Sequence, residues 1–198
     1  MGNIAGIILA AGESRRMGTP KALLELGAET FLDRLIRVMG ESCSPVIVVL
    51  GHEAQRIKSG LHQAGTAQFV INQDYARGQL SSLKCGLAAV PSEAKGVLFT
   101  LVDRPLVEPS TIARVLERFQ DRQPAELLVV PRAGLQHGHP VCLARELIAE
   151  FLALPPEAQA RDVIHAHAGE TAYVDVDDSG ILVDVNDPED YQRLVARG

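Results

Sequence analysis

Tryptophan is missing from this 198-residue chain, and only three tyrosines and five phenylalanines represent the other aromatics. A stacking surface for bases or sugars needs flat rings, so the scarcity argues against one. The core must instead be built from Val, Leu, Ile and Ala, which suits layered strands and helices. Cysteine is nearly as scarce. Cys43, Cys85 and Cys142 stand far apart without a CxxC pair. That excludes a disulfide framework and the usual zinc spacings, and leaves reduced thiols in the core as the expectation. Basic runs are absent too: 25 acidic against 19 basic side chains give a formal charge of −6. Nucleic acid is therefore excluded as a partner, since it calls for a basic footprint, while a local pocket for a small anion stays open. No apolar run reaches the length of a bilayer, and the start has neither a basic leader region nor a long apolar one. Met1-Gly2 opens as a myristoylation signal does, but Ala5 and Gly6 stand where that signal needs a hydroxyl. The expectation is a cytoplasmic protein that does not engage a membrane, one domain over residues 1–198.

What is present is a rhythm. Ile4–Ala10 is an unbroken apolar run ended by Gly12, the mark of a strand covered on both faces. Gly12, Gly18 and Pro20 with intervening charges predict a loop. Thr30 caps a helix with Asp33 three places on, and Phe31, Leu32, Leu35, Ile36 and Met39 form its apolar stripe. Strands are predicted at 45–50, 67–71, 96–101 and 127–131. Helices are predicted at 53–63, at 81–90 and around Ile112, Val115, Leu116 and Phe119. Beyond Gly134 the pattern loosens: Gly138-His139-Pro140 interrupts a run, and a helix carries Leu147, Ile148, Phe151 and Leu152. Segments 173–176 and 181–185 flank Asp178-Ser179-Gly180 as a hairpin would. Asp187-Pro188-Glu189-Asp190 opens a last helix. Alternating strands and helices argue an α/β fold with a three-layer, mainly parallel sheet. Ligands in such sheets bind at the carboxyl ends of strands, so the polar stretches after strands 4–10, 67–71 and 96–101 should meet on one edge.

The first of these stretches runs from Leu9, Ala10, Ala11 and Gly12 through Ser14, Arg15 and Arg16 to Gly18, Pro20 and Lys21. Small residues let backbone N–H groups approach an anion, and Arg15, Arg16 and Lys21 offset triphosphate charge. Neither common glycine loop fits: GxGxxG fails at Glu13-Ser14, and the Walker A pattern fails because Gly18 comes one residue late and Lys21 precedes Ala22.

The segment resembles the signature LAAGxSxRMGxPKxLL of the MobA-like nucleotidyltransferases, in particular their molybdenum cofactor cytidylyltransferase branch. That resemblance implies a Rossmann-like nucleotidyltransferase fold with a mixed sheet. It implies phosphate-binding roles for Gly12, Arg16 and Lys21, and places Ala10 and Ala11 near the base. NQDYARGQLSSLKCGL, residues 72–87, is similar to NPxWxxGMxSSLxxGL and puts Gly78, Ser81 and Ser82 beside base and ribose; Tyr75 stands where Trp is common. Leu101-Val102-Asp103-Arg104-Pro105 is similar to LxDxP, whose aspartate holds magnesium (Mg2+). Arg104 stands where Gln or Met is usual and is expected to meet a substrate phosphate. Gly138-His139-Pro140 matches the family's GHP, with His139 either lining the acceptor pocket or fixing the loop. Residues 184–190 resemble DIDTPED, which makes Asn186 the second magnesium ligand. Residues 154–161 depart from the pattern LxGDxGAR at Pro156 and Gln159, while Arg161 still aligns and is expected to face the acceptor.

The activity implied is transfer of a nucleoside monophosphate from an NTP, CTP before GTP with UTP as competitor, to a phosphorylated small molecule of molybdopterin type. The product would pass to a molybdoenzyme partner. A sugar or polyol phosphate acceptor, and a non-catalytic cofactor chaperone, remain as alternatives. His52, His62, His165 and His167 are expected at the surface. The acidic tract Asp175, Asp177, Asp178 and Asp184 lacks calcium-loop spacing and is expected in a turn.

Overall fold

The computed structural model describes residues 3–62 and 64–196. Met1 and Gly2, and Gln63 at the end of the second predicted helix, lie outside them. Strands β1 (Ile4–Ala10), β2 (Glu25–Leu26), β3 (Glu29–Thr30), β4 (Val46–Leu50), β5 (Gln68–Ile71), β6 (Gly96–Leu101), β7 (Leu128–Ala133), β8 (Gln136–His137), β9 (Val141–Ala144) and β10 (Thr171–Asp175) alternate, among the described residues, with seven α-helices. These are α1 (Phe31–Gly40), α2 (Ala54–Ser59), α3 (Gln79–Ala88), α4 (Pro109–Gln120), α5 (Leu147–Ala153), α6 (Ala160–Ala166) and α7 (Pro188–Val195). The main sheet runs β10-β7-β9-β6-β1-β4-β5, with β8 folded onto β7. Pairings β6–β1–β4–β5 and β10–β7 are parallel, while β9 is antiparallel to both β6 and β7. The fold is α/β, Rossmann-like, with helices on both faces of a mixed sheet.

Alternation along the buried strands decides the layers. Ile4 and Ile8 of β1, Val48 and Leu50 of β4 and Leu98 of β6 face the apolar stripes of α1 and α4. Ile7 and Leu9, Ile47 and Val49, and Val97 and Phe99 face α3 and α5. Each such fully buried side chain contributes roughly 1.5–3 kcal/mol. Thr30 caps α1 as expected, its Oγ1 accepting from Asp33 N at 3.0 Å. Cys43 and Cys142 are buried, Cys85 is half-buried, and all three are free thiols. Burial pushes the Cys43 thiol up to about 12, so it stays protonated. No helix among the described residues is long and apolar enough to cross a membrane.

Two local expectations are corrected. Segments 173–176 and 181–185 form no hairpin: β10 pairs in parallel with β7, and Ser179–Leu182 is a 3-10 turn. The reason is Asp178. Its carboxylate is buried and accepts from Gly180 N, Glu108 N and Thr111 Oγ1, which ties the turn to the start of α4 instead of closing it on a returning strand. His167, expected at the surface, is instead half-buried. Its Nε2 lies 2.8 Å from Glu150, and its Nδ1 is bonded to Glu170, so it links α5 to the segment before β10. Glu170 first and Glu150 second raise its pKa.

Candidate active site

The polar stretches that follow β1, β5 and β6 meet at the carboxyl edge of the sheet, around a cleft of about 400 Å³. β1 delivers Leu9, Ala10, Ala11 and Gly12 to its wall. The turn that follows is closed by Ser14, whose carbonyl accepts from Met17 and Gly18 and whose Oγ accepts from Lys21 N at 3.1 Å. That contact sets where Lys21 leaves the loop. On the far side, Ala11 O accepts from His52 N at 3.1 Å. Gly51 makes this approach feasible, because a Cβ there would lie 2.5 Å from Tyr75 Cβ and 2.8 Å from Ala11 O.

The start of α3 forms the next wall. Gly78 has φ +104°, a conformation that side chains other than glycine's resist, and it leads into Gln79 at the cleft. Asn72, buried at the end of β5, donates from Nδ2 to Ser81 Oγ (2.8 Å) and Ser82 Oγ (3.0 Å). Ser82 reaches the cleft. Ser81 does not: its hydroxyl donates toward the carbonyls of Asp74 (2.9 Å) and Gly78 (2.8 Å), so it holds the helix start together.

Charge concentrates on the floor. Lys21 Nζ donates to Asp103 Oδ2 at 3.0 Å and to Asn186 Oδ1 at 3.3 Å. The segment carrying Asn186 is anchored by Val185 N to Asp103 O (2.9 Å) and by Asn186 N to Asp190 Oδ2 (2.8 Å). Arg16 lines the cleft, exposed and, among the described residues, without an ion pair or hydrogen bond. Arg15 also lines it but is bonded to Glu13.

A cleft with a glycine-bearing loop, a lysine and two converging oxygen donors suits a phosphate-rich ligand. A profile of the MobA-like NTP transferase domain matches residues 6–171. The chain belongs to this family. It is 26% identical over 191 residues to the molybdenum cofactor cytidylyltransferase of Escherichia coli K12, covering 96% of this chain and 95% of that protein. It is 28% identical over 201 residues to the nicotine blue oxidoreductase of Paenarthrobacter nicotinovorans, covering 97% and 96%. Among solved structures, Rv0371c of Mycobacterium tuberculosis H37Rv superposes with a TM-score of 0.86 at 30% identity, over 98% of this chain and 97% of that one. A manganese complex of the same protein gives 0.82 at 27% identity, over 99% and 100%. Family and fold support a nucleotidyltransferase-type activity, and one of the similar solved structures holds a divalent ion, manganese.

Within this MobA-like domain the expected residues fall into two groups. Leu9, Ala10, Ala11, Gly12, Arg15, Arg16, Lys21, Gly78, Ser82, Asp103 and Asn186 line one cleft, while Ser81, Arg104, His139 and Arg161 do not. Arg104 is engaged elsewhere: it lies 2.7 Å from Asp184 Oδ1 and donates to Ile181 O at 2.7 Å. Burial raises the Asp184 pKa, and the Arg104 guanidinium opposes that. His139 packs edge-on against Phe99, with Nδ1 buried and, among the described residues, unpartnered. Burial, reinforced by Arg104, holds its imidazole down to about 4, so it is neutral. Arg161 is exposed on α6, which Gln159 opens with a reciprocal capping box to Asp162. Tyr75, Gln79, Pro20 and Ile57 line the cleft without having been assigned roles. The signal for Tyr75 and Gln79 was their place inside the second motif; for Ile57, on α2, there was none.

Proposed function

We propose that this chain transfers CMP from CTP to the phosphate of a molybdopterin-type acceptor and releases pyrophosphate. The reading extends to one MobA-like domain across residues 1–198, acting in the cytoplasm and handing its product to a molybdoenzyme partner. The observation that carries it is the pair of oxygens, Asp103 Oδ2 and Asn186 Oδ1, converging on a single cation below the Ala10-Ala11-Gly12 loop. The Escherichia coli relative supports the choice of nucleotide and acceptor.

An oxygen of the acceptor phosphate attacks the α-phosphorus. The new P–O bond forms as the bond to the bridging α–β oxygen breaks, and pyrophosphate departs with that electron pair. The attacking phosphate is already an anion near neutral pH, so no general base is needed. Backbone N–H groups of the first loop hold the triphosphate, and Lys21 and Arg16 offset charge that builds on the non-bridging and leaving oxygens. Ala11 closes the base pocket from below, where its methyl penalises a purine more than a pyrimidine. Arg15 joins the phosphates by exchanging Glu13 for them.

The donor set fits magnesium. A carboxylate oxygen and an amide oxygen are hard ligands, and they already hold a cationic group between them. No cluster of three His, Cys, Asp or Glu suited to a metal occurs among the described residues. Two protein oxygens are nevertheless enough for an ion that keeps waters and takes substrate phosphates as its other ligands. Asp103 and Asn186 would hold it, and when bound it supplies Lewis-acid stabilisation of the phosphoryl oxygens.

Incubation with each NTP, magnesium and molybdopterin, or with sugar and polyol phosphates, tests the reading by pyrophosphate release. CTP with molybdopterin is expected to be fastest. Faster GTP would move the chain to another branch, and release with a sugar phosphate alone would move the acceptor. No release with any pair overturns the transferase.

A further inference from the structure

Three groups meet at the floor of the cleft, and their order of contact is informative. Asp103 Oδ1 is buried and, among the described residues, has no hydrogen-bond partner. Oδ2 is thus the oxygen that the carboxylate turns outward, and Lys21 Nζ covers it at 3.0 Å. The same ammonium reaches Asn186 Oδ1 at 3.3 Å, and the lysine side chain is only 11% exposed. A cation arriving from the cleft finds both outward-facing oxygens taken. At the same cleft Arg16 is exposed and unpaired among the described residues and Arg15 pairs with its neighbour Glu13, so Lys21 alone of the three basic groups is paired with these two oxygens.

We propose that Lys21 is a counter-ion latch: without nucleotide its ammonium occupies the place of the divalent cation between Asp103 and Asn186, and the triphosphate draws it off as the cation enters. The inference rests on the reading of this cleft as an NTP and magnesium site, and adds to it an order of events. An ammonium and a divalent ion repel strongly at the separation that sharing one carboxylate oxygen would impose. The flexible four-carbon stem of lysine lets Nζ swing away while its backbone stays fixed through Ser14. Without nucleotide, a metal ion must expel the ammonium from a carboxylate to water. With nucleotide, the ammonium exchanges that carboxylate for phosphate oxygens, and the metal gains phosphate ligands as well. Metal and nucleotide therefore bind with positive coupling, and each tightens the other by the same factor. The bare protein holds a divalent ion poorly until an NTP is in place.

Manganese(II) alone serves as the probe, titrated into the full chain without nucleotide and followed by loss of the free-ion paramagnetic resonance signal. Lys21→Met and Lys21→Gln are expected to bind it at least about tenfold more tightly than wild type, within the usual range of site-to-site coupling. Adding Asp103→Ala to either variant is expected to remove that gain. Circular dichroism melts identify a variant that has not folded, and the two replacements back each other up. Equal or weaker manganese binding in the folded lysine variants overturns the latch, and so does a tight site that survives Asp103→Ala. Pyrophosphate release by wild type beside unchanged manganese affinity would refute the latch and leave the transferase standing. Tighter variants without pyrophosphate release from any NTP and acceptor would do the reverse.

Discussion

At the ends of β1 and β6, polar groups face a cleft and are incompletely used. Among the described residues Arg16 has no ion pair or hydrogen bond, Asp103 keeps one oxygen unpartnered, and Lys21 Nζ is held by Asp103 Oδ2 and Asn186 Oδ1 alone. Around β7 and β10 the charges are consumed internally. Arg132 pairs with Asp175, Arg104 with Asp184, His167 with Glu150 and Glu170, and the Asp178 carboxylate with Thr111 and two backbone amides. Unspent hydrogen-bonding capacity is costly to keep in a folded protein. Where several such groups gather at one cleft they mark chemistry, whereas single unpartnered atoms elsewhere among the described residues, such as His139 Nδ1 and Thr100 Oγ1, do not. The contrast explains why Arg104, although adjacent to Asp103 in sequence, belongs with the second group.

The largest effect that separates the two regions is at Asp103. Asp103→Ala should lower pyrophosphate release by roughly two to three orders of magnitude, in line with removal of one transition-state partner, while the thermal midpoint stays close to wild type. Asn186→Ala should act in the same direction less severely, since a neutral ligand brings less charge to the ion. A variant with Asp103→Ala that turns over normally would break the comparison outright.

His139 gives the next largest effect, on stability. Its folded pKa of about 4 lies below the unfolded value near 6.5. The neutral imidazole is therefore fully tolerated above pH 6.5, and stability is lost as pH falls from 6.5 towards 4, in total about 3 kcal/mol. Urea midpoints measured across that window should fall for wild type and stay flatter in His139→Asn. Parallel curves would mean that the ring is solvated.

Arg104→Met should cost about 1–3 kcal/mol in the same denaturation assay, because it leaves Asp184 and Ile181 O without their partner. Its folded fraction should keep far more turnover than Asp103→Ala does. Equal loss of turnover in both would return Arg104 to the cleft group. The smallest effect is on choice of base. Ala11→Gly should move the CTP to GTP preference towards GTP by about one decade, read by competition binding in magnesium. An unchanged ratio would show that the methyl does not set the pocket.

How much of this was legible depends on range in sequence. β1, β4 and β6 announce themselves because both faces of each are buried, and Thr30 and Asp33 form a cap within one turn of helix. The first loop carries its chemistry within a few residues, so motif and geometry coincide from Leu9 to Lys21. The misses come from partners far apart. Arg104 and Asp184 are separated by 80 positions, and Asp178 and Thr111 by 67, so no local spacing records either pair. Ser81 sits in a matching motif yet spends its hydroxyl on Asp74 and Gly78, a choice fixed by Asn72 beneath it. The antiparallel entry of β9 between β6 and β7 leaves no signature either, because a short apolar run reads the same in both directions.

The distance between Lys21 and Asn186 along the chain also bears on how the protein is made. The two meet at 3.3 Å across 165 positions of sequence. At about 5–20 residues per second, a ribosome needs roughly 8–33 seconds to go from one to the other. During that interval the lysine and its loop are present while the second oxygen does not yet exist. A nascent chain can display the loop from Leu9 to Lys21 long before it can assemble the floor of the cleft, which waits for Asn186 to be added.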